Sequence, residues 1–291
     1  MFNAAYRIDF ADGGTSVLKI AAADTKGLMS NEINLMHAEV DAMELLRAQR
    51  VPHVARVQHA DFTCMLRSGS YFFMERLPNQ SLNSQREALS PDEMNHILHQ
   101  VGQFQRSLTG IRGDSFGLLG DTRRFPALHG LIRLLYENVL KDAFAVDIDF
   151  GFSTEELLRR LEADRAIFDE VRTPPLVYGD MGEGNIFVDQ GELSGVIDWE
   201  RAMWGEPFMD DRFRRHNGQQ SFLKGFGQTD FTPAELRCTA WYDLFLCLTM
   251  STACFYREYE DIPGTLSWLR LMADAPGRRF AAADCSSLVT F

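Results

Sequence analysis

Asp180, Asn185 and Asp198 are the side chains whose types and spacing best suit chemistry. They lie in the segment LVYGDMGEGNIFVDQGELSGVIDW (176–199) and offer two carboxylates and one amide, a set of oxygen ligands suited to Mg²⁺. Phosphoryl transfer from ATP uses such a set, because one Asp orients the acceptor hydroxyl while an Asn and a second Asp hold Mg²⁺ on the phosphates. Turn capping would explain Asp180 or Asn185 singly, but it does not explain all three together.

The elements around this segment form a predicted hairpin. Residues 174–178 and 185–188 are rich in strand-forming residues on either side of the loop. A turn at 189–191 and a strand over 192–200 then bring the chain back past the loop, with Asp198 on the returning strand. This arrangement predicts that the two carboxylates and the amide lie close together.

The first part of the chain predicts a small β-rich unit. Alternating residues around an Asp-Gly turn indicate a hairpin, and apolar residues that step by three and four indicate a helix. The predicted elements are strands at 6–10 and 15–20, a helix over 32–50, and strands over 54–62 and 69–77. Residues 78–82 have the composition of a hinge. We therefore predict two domains, 1–77 and 78–291.

The second part predicts a mostly helical domain. Ser90 with Glu93, and Thr232 with Glu235, each match a capping box with a Pro at the first helical position. Ser153 and Glu156 repeat the capping-box pattern at the start of a further helix, whose apolar positions continue through Phe168. The tail from Ala281 is weakly patterned, and we expect it to be frayed. Together with the β-rich unit, these helices predict an α+β protein.

Composition indicates a globular protein of the cytoplasm. The chain has 291 residues, of which 45% are hydrophobic and 24% charged. No apolar run approaches the roughly 20 residues that span a bilayer, and the N-terminus lacks a secretory pattern, so no membrane partner is expected. The five cysteines are scattered, as is typical of a reducing compartment.

The charge distribution argues against a nucleic-acid partner. The net charge is −12, and almost all of it falls after residue 77. Nucleic-acid binding requires a basic surface. An acidic second domain would suit a cationic small molecule, and solubility explains the charge equally well.

The longer segment LVYGDMGEGNIFVDQGELSGVIDWERAMWGEP (176–207) resembles the signature of the aminoglycoside phosphotransferase and choline kinase-like family. The family pattern is His-Gly-Asp-x-x-x-x-Asn, then Ile-Asp-Trp/Phe-Glu, then Gly-Asp-Pro. The hygromycin-type phosphotransferases are similar in particular around VIDWERAMWGEP. Residues 6–20 and 72–82 also resemble the family's N-lobe strands and hinge. The resemblance implies a protein kinase-like fold, with a small β-rich N-lobe and a larger, mostly helical C-lobe.

The resemblance implies a role for each residue that matches the motifs. Asp180 would be the catalytic base, or the carboxylate that orients the acceptor. Asn185 and Asp198 would hold Mg²⁺. Lys19 would bind the α- and β-phosphates of ATP, and Glu39 would hold Lys19 from the helix.

The remaining nucleotide contacts would come from the hinge. The backbone of Glu75 and Leu77 would bind adenine, with Met74 behind it.

Glu44 is the alternative ion-pair partner of Lys19, because the sequence does not fix the register of the helix to within one turn.

Four further residues of the matching region have less defined roles. An ion pair between Glu200 and Arg201 that shapes the loop is favoured over a part in the chemistry. Asp210 is expected to brace the catalytic loop. Tyr178 stands where the family has His, and its hydroxyl could make a comparable hydrogen bond.

The resemblance begins only at the end of the loop that covers the phosphates in the family. The first N-lobe strand and most of that loop have no counterpart in the sequence. Either the start at Met1 is assigned too late, or the protein binds ATP without a loop that covers its phosphates. In the second case we expect weak ATP binding and an edge strand at the start of the chain.

These expectations favour an ATP-dependent kinase of a small-molecule hydroxyl, with an aminoglycoside-type antibiotic as one candidate acceptor. A metabolite kinase acting on an amino alcohol or a sugar derivative is the first alternative. A non-catalytic, nucleotide-binding pseudokinase is the second. The joint presence of a candidate lysine, base and metal ligands argues against the pseudokinase.

Overall fold

The protein is described from a computed structural model, and the description covers residues 3–22, 27–77, 80–213 and 220–257. The predicted α+β class is confirmed: an antiparallel sheet with one helix precedes a mostly helical part. Buried apolar side chains of both parts belong to one continuous core. The predicted frayed tail from Ala281 and two residues of the predicted hinge, 78 and 79, lie outside the described residues.

The N-lobe is an antiparallel sheet of four strands with one helix. Its elements are β1 (Asn3–Asp9), β2 (Thr15–Ala21), α1 (Leu35–Ala48), β3 (Val57–Asp61) and β4 (Tyr71–Glu75). The strand order is β1-β2-β4-β3, so β1 is at an edge and β2 is paired on both sides. Lys19 on β2 lies opposite Ala5 on one side and Phe72 on the other. The sheet therefore holds the backbone of Lys19 from both neighbouring strands.

Helix α1 begins three residues later than the sequence predicts. Asn34 adopts the left-handed conformation, with φ of 48°, and its Nδ2 donates to the carbonyl of Gly120 at 3.0 Å. This contact with the C-lobe keeps Asn34 outside the helix. The helix then buries Met36, Val40 and Met43 on the face that also carries Glu39.

The C-lobe contains short strands between longer helices. Its elements are β5 (Gln80–Ser81), α2 (Leu82–Gln85), α3 (Pro91–Leu108), β6 (Gly117–Leu118), α4 (Leu128–Ala145), α5 (Thr154–Ala163), α6 (Arg165–Phe168), β7 (Leu176–Val177), β8 (Ile186–Asp189), β9 (Glu192–Val196), β10 (Met203–Trp204), α7 (Gln220–Phe226) and α8 (Pro233–Tyr256). Two 3₁₀ turns, Pro207–Met209 and Asp211–Phe213, connect β10 to the following helical region.

The strands around the candidate loop belong to two sheets, whereas the sequence predicted one small β unit. Strand β7, which leads into the loop, pairs with β10 in the sheet β6-β10-β7. Strands β8 and β9, which follow the loop, form the predicted hairpin and pair with β5 in the sheet β5-β8-β9. The loop therefore crosses from one sheet to the other.

Two of the three predicted capping boxes are confirmed. At Ser90 and Glu93, and at Thr232 and Glu235, each side chain bonds to the backbone N–H of the other residue. Such caps stabilise a helix by about 1 kcal/mol each. At the third, Ser153 accepts from Glu156 N, but the Glu156 carboxylate bonds to Arg159 and Arg160 and does not complete the box.

The predicted helix through Phe168 is wrong in one respect, because it ends at Ala163 and a second short helix follows. Asp164 lies between the two and accepts hydrogen bonds from Arg237 Nε at 2.6 Å and Trp241 Nε1 at 2.8 Å. These contacts with α8 stabilise the break.

Helices α4 and α7 were not predicted. Helix α4 is buried on most of its circumference, so its sequence lacks a single apolar stripe. Its Tyr136 hydroxyl donates to the carbonyl of Trp241 at 2.6 Å, which ties it to α8. Within the described residues, no helix combines the length and the apolar character that crossing a membrane would require.

Glycines bring α3 and α7 into close contact. A Cβ atom on Gly225 would lie 1.9 Å from the carbonyl oxygen of His99, and one on Gly102 would lie 2.2 Å from that of Phe222. Contacts this short are repulsive, so neither position accepts a larger residue without separating the helices.

We expect Gly225→Ala to lower the free energy of unfolding by about 1–3 kcal/mol, because the added methyl group overpacks this interface. Lys224→Ala on the exposed face of the same helix is the control, expected within about 0.5 kcal/mol of the wild type. Urea unfolding followed by tryptophan fluorescence measures both. Equal stability of Gly225→Ala and the wild type would contradict the close helix contact.

Candidate active site

The loop between β7 and β8 is held in shape by its own backbone. Gly179 has φ of +90°, and a Cβ there would lie 2.6 Å from the carbonyl oxygen of Arg201, so the position requires glycine. The carbonyl of Asp180 accepts from Gly182 N at 2.7 Å and from Asn185 Nδ2 at 3.1 Å. Because the amide nitrogen of Asn185 is used within the loop, its Oδ1 is the atom that remains for a ligand.

The segment after β9 is tied to this loop by two hydrogen bonds. Ile197 N donates to the carbonyl of Asn185 at 3.0 Å. The hydroxyl of Tyr178, which is fully buried, donates to the carbonyl of Ile197. Burial raises the pKa of this phenol well above its usual value, so Tyr178 stays a neutral donor. It thus makes a structural hydrogen bond at the position where the resembling family has His.

Asp198 does not lie on a strand, contrary to the prediction. Strand β9 ends at Val196, and Asp198 adopts the left-handed conformation with φ of 66°. Trp199 is fully buried behind it and donates Nε1 to the carbonyl of Val196 at 3.2 Å. The anchored tryptophan holds the chain in a tight turn, and the turn aims Asp198 back toward the N-lobe.

Asp210 connects the loop between β7 and β8 to the second 3₁₀ turn. It is fully buried and accepts from Gly179 N at 2.8 Å and from Arg212 N at 3.1 Å. Arg212 in turn donates Nε to the carbonyl of Met181 at 2.8 Å. Burial raises the pKa of Asp210 to about 6, and the two backbone N–H groups oppose that rise.

Lys19 links the two lobes through a buried ion cluster. Its Nζ lies 2.8 Å and 2.7 Å from the two carboxylate oxygens of Glu39, and 2.7 Å from Oδ1 of Asp198. Glu39 is fully buried, whereas Glu44, the alternative partner, is exposed on the outer face of α1. The structure therefore brings Lys19, Glu39 and Asp198 together and leaves Glu44 apart.

Burial and the neighbouring charges act in opposite directions on the pKa values of this cluster. Burial alone would lower the pKa of Lys19, but the carboxylates of Glu39 and Asp198 outweigh it, and the net shift is upward. Burial raises the pKa of Glu39 to about 7, against the opposing effect of Lys19. The carboxylate oxygens of Glu39, Asp198 and Glu200 are close enough to share a cation, and the ammonium group of Lys19 contacts two of them.

Asp180 lies in the cleft between the two lobes with 43% of its side chain exposed. The protein that surrounds the cleft raises the pKa of Asp180 to about 7 by desolvation, and the nearby guanidinium of Arg201 opposes that rise. Arg201 Nε lies 3.7 Å from Oδ2 of Asp180. A carboxylate with a pKa near neutrality is suited to accept a proton.

Arg201 is paired with Glu32, and not with Glu200 as the sequence predicted. Its Nη2 donates to Glu32 Oε1 at 3.0 Å, and Arg257 donates to the same oxygen at 2.6 Å. Glu200 instead accepts from Asn3 Nδ2 on β1 at 2.9 Å. Sequence reasoning missed Glu32, because it lies in the polar approach to α1 and matches no motif.

The predicted adenine contacts lie at the end of β4. Glu75 N donates to the carbonyl of Arg56 at 2.8 Å, which anchors the strand end. Leu77 packs its side chain over Gly195 in the sheet below, where a Cβ atom would lie 2.3 Å from Leu77 Cδ1. Met74 is buried beside them.

An ion-paired lysine on a strand of the N-lobe sheet and an Asp/Asn loop in the helical C-lobe are features of the protein kinase-like fold class. The profile of the phosphotransferase enzyme family matches residues 3–236, so the chain belongs to this family. No curated protein matches the chain in sequence.

Solved structures with the same fold include the apo form of a thermostable mutant of aminoglycoside phosphotransferase APH(4)-Ia and a ternary complex of a point variant of that mutant. The ternary complex with ADP and hygromycin B has a TM-score of 0.66 at 16% identity, with 94% of this chain and 90% of that chain covered. The apo form has a TM-score of 0.65 at 17% identity, with 94% and 89% covered. The streptomycin–ATP complex of APH(2")-IIa has a TM-score of 0.57 at 16% identity, with 93% of each chain covered.

The raised pKa values predict how stability depends on pH. The carboxyls of Asp180 and Glu39 have a pKa of about 7 in the folded protein, against about 4 in an unfolded chain. The folded protein therefore binds more protons than the unfolded chain near pH 6. The stabilisation is present at low pH and is lost as the pH rises through about 7, so the free energy of unfolding should rise on going from pH 8 to pH 6.

Urea unfolding at both pH values, in EDTA and without nucleotide, measures this change. Asp180→Asn should reduce the pH dependence, whereas Asp189→Asn on the exposed end of β8 should retain it. Stability that is constant or lower at pH 6 would contradict the raised pKa values.

Proposed function

We propose that the protein transfers the γ-phosphoryl group of ATP to a hydroxyl group of a small molecule. The observation that carries this proposal is the contact of Lys19 Nζ with both Glu39 and Asp198 beside the Asp180 loop. In this arrangement ATP binds between residues 1–77 and 78–291. Its adenine contacts the backbone of Glu75 and Leu77, and its phosphates contact Lys19.

The donor groups fit Mg²⁺. Asn185 Oδ1 and the carboxylate of Asp198 are hard oxygen ligands, of the kind that this ion prefers. The carboxylate oxygens of Glu39, Asp198 and Glu200 lie within 4.8 Å of one another, and a cation would relieve the repulsion between them. Asn185 and Asp198 would hold Mg²⁺, which when bound neutralises charge on the phosphates.

Lys19 exchanges partners when ATP enters. In the structure, its ammonium group bonds to Oδ1 of Asp198 at 2.7 Å. A phosphate oxygen replaces Asp198 on Lys19, while the buried Glu39 keeps the lysine in position. Asp198 would then be available to hold Mg²⁺.

Asp180 receives the acceptor. The acceptor oxygen attacks the γ-phosphorus, the bond from this phosphorus to the β,γ-bridging oxygen breaks, and ADP leaves. The hydroxyl proton passes to the carboxylate of Asp180. Arg201, which is bonded to Glu32, keeps that carboxylate in place. Its Nε lies 3.7 Å from Oδ2 of Asp180.

Two classes of acceptor are candidates. Aminoglycosides are bound in the similar structures of APH(4)-Ia and APH(2")-IIa, and the acidic chain would attract such cations. A metabolite hydroxyl on a less charged molecule is the second candidate, and it is favoured by an apolar cavity beside the catalytic loop.

Removal of the base tests the proposal. The purified protein is incubated with Mg·ATP and hydroxyl compounds that include aminoglycosides, amino alcohols, sugars and uncharged alcohols. Mass spectrometry identifies any phosphate ester. Asp180→Asn should lower turnover by about 10²–10⁴-fold, the usual contribution of a general base, while leaving ATP affinity nearly unchanged.

Asp189→Asn is the matched control, because this exposed residue of β8 is chemically the same and lies outside the cleft. A loss of less than about tenfold in Asp180→Asn would remove Asp180 from the role of base. Binding of Mg·ATP without phosphate ester from any compound would favour the pseudokinase instead.

A further inference from the structure

A cavity of about 130 Å³ lies directly beside the catalytic loop. It reaches Gly179, the residue before Asp180, and Arg201, whose Nε lies 3.7 Å from Oδ2 of Asp180. Its other walls come from α4, α8, β10 and the approach to α1. A molecule in this cavity would therefore lie next to the proposed base.

The walls of this cavity are mostly hydrocarbon. Ile132 and Leu135 of α4 face Phe245 and Leu246 of α8, and Met203 closes one side. Methionine adapts to apolar ligands of different shape, because its side chain is flexible and polarisable.

Two tyrosines of the lining present rings and not hydroxyl groups. The hydroxyl of Tyr136 donates to the carbonyl of Trp241 at 2.6 Å, and that of Tyr242 donates to Glu206. Both hydroxyls are thus engaged with the protein.

Two of the three acidic residues of the lining are engaged with other side chains of the protein. Glu32 bonds to Arg201 and to Arg257, so its charge is compensated twice. Glu200 accepts a hydrogen bond from Asn3 Nδ2 at 2.9 Å. Asp211 is the third carboxylate of the lining. A polycation needs several carboxylates as partners, and in this cavity Glu32 and Glu200 are already engaged with other side chains of the protein.

The size of the cavity suits one ring. An apolar cavity of about 150 Å³ accommodates a molecule such as benzene. An aminoglycoside has several linked polar rings, which this mostly apolar lining does not match. We propose that the acceptor is an uncharged alcohol whose apolar ring fills this cavity and whose hydroxyl group points to Asp180.

This inference rests on the proposed phosphotransfer and adds the class of the acceptor. The ring is buried among the apolar walls, while the hydroxyl lies at the end of the cavity near Gly179. The alcohol oxygen bonds to the γ-phosphorus of ATP, the bond to the bridging oxygen breaks, and the proton goes to Asp180. The products are ADP and a phosphate monoester of the alcohol.

Filling the cavity tests the inference. Leu246 is half-buried and lines the cavity from α8, so Leu246→Trp places an indole in the space that the ring would occupy. Leu236→Trp is the matched control, because Leu236 is an exposed leucine of the same helix outside the lining. Circular dichroism and Mg·ATP affinity verify that both variants are folded.

The probes are 2-phenylethanol and 2-cyclohexylethanol, with hygromycin B and kanamycin as the polycationic arm. Binding is measured by ligand-observed NMR, and phosphate esters are measured by mass spectrometry. We expect the two ring alcohols to bind the wild type and Leu236→Trp, and to bind Leu246→Trp at least tenfold more weakly. We also expect turnover of the ring alcohols to exceed that of the aminoglycosides.

Two outcomes would overturn the inference. One is binding of the ring alcohols that is absent or unaffected by Leu246→Trp. The other is phosphorylation of the aminoglycosides in preference to the ring alcohols, which would leave the proposed phosphotransfer intact. Binding in the cavity with no phosphate ester from any probe would contradict the phosphotransfer itself, and with it the role of the ring alcohol as acceptor.

Discussion

The contact of one buried ammonium group with two carboxylates organises this structure. Lys19 lies on a strand that is paired on both sides, Glu39 lies on the only long helix of the described N-lobe, and Asp198 follows the C-lobe hairpin. A buried carboxylate without a partner is costly, so Glu39 fixes the position of Lys19 as much as Lys19 fixes that of Glu39. The same contact connects the sheet, the helix and the turn that carries Asp198. The cleft between the lobes is shaped by this connection.

The C-lobe side of the cleft depends on backbone hydrogen bonds more than on charge. Asp210 accepts the N–H of Gly179, Tyr178 donates to Ile197, and Asn185 holds the carbonyl of Asp180. These bonds fix the loop before any ligand binds. Pre-organised geometry of this kind contributes to catalysis, since the groups need no rearrangement in the transition state. One side of the loop faces the apolar cavity, and the other side faces Lys19.

The sequence was sufficient to predict the fold class and to single out the residues of the loop, because the spacing of a motif along a short segment can be recognised without the structure. The family resemblance favoured Glu39 as the partner of Lys19 and left Glu44 as the alternative, and the structure buries Glu39 while Glu44 stays exposed. The sequence was not sufficient where the chain meets distant parts of itself. The left-handed turn at Asp198 depends on the burial of Trp199, and the pairing of Arg201 with Glu32 joins residues far apart in the chain. Helix α4 was missed because burial on most sides removes the amphipathic pattern.

The exchange of partners at Lys19 is the central claim, and a crystal structure with Mg²⁺ and a non-hydrolysable ATP analogue tests it most directly. Lys19 Nζ should remain bonded to Glu39, leave Asp198 and contact a phosphate oxygen. Asp198 and Asn185 should then coordinate Mg²⁺ through their side-chain oxygens. A complex in which Lys19 keeps its bond to Asp198, with the metal held by other residues, would contradict the claim.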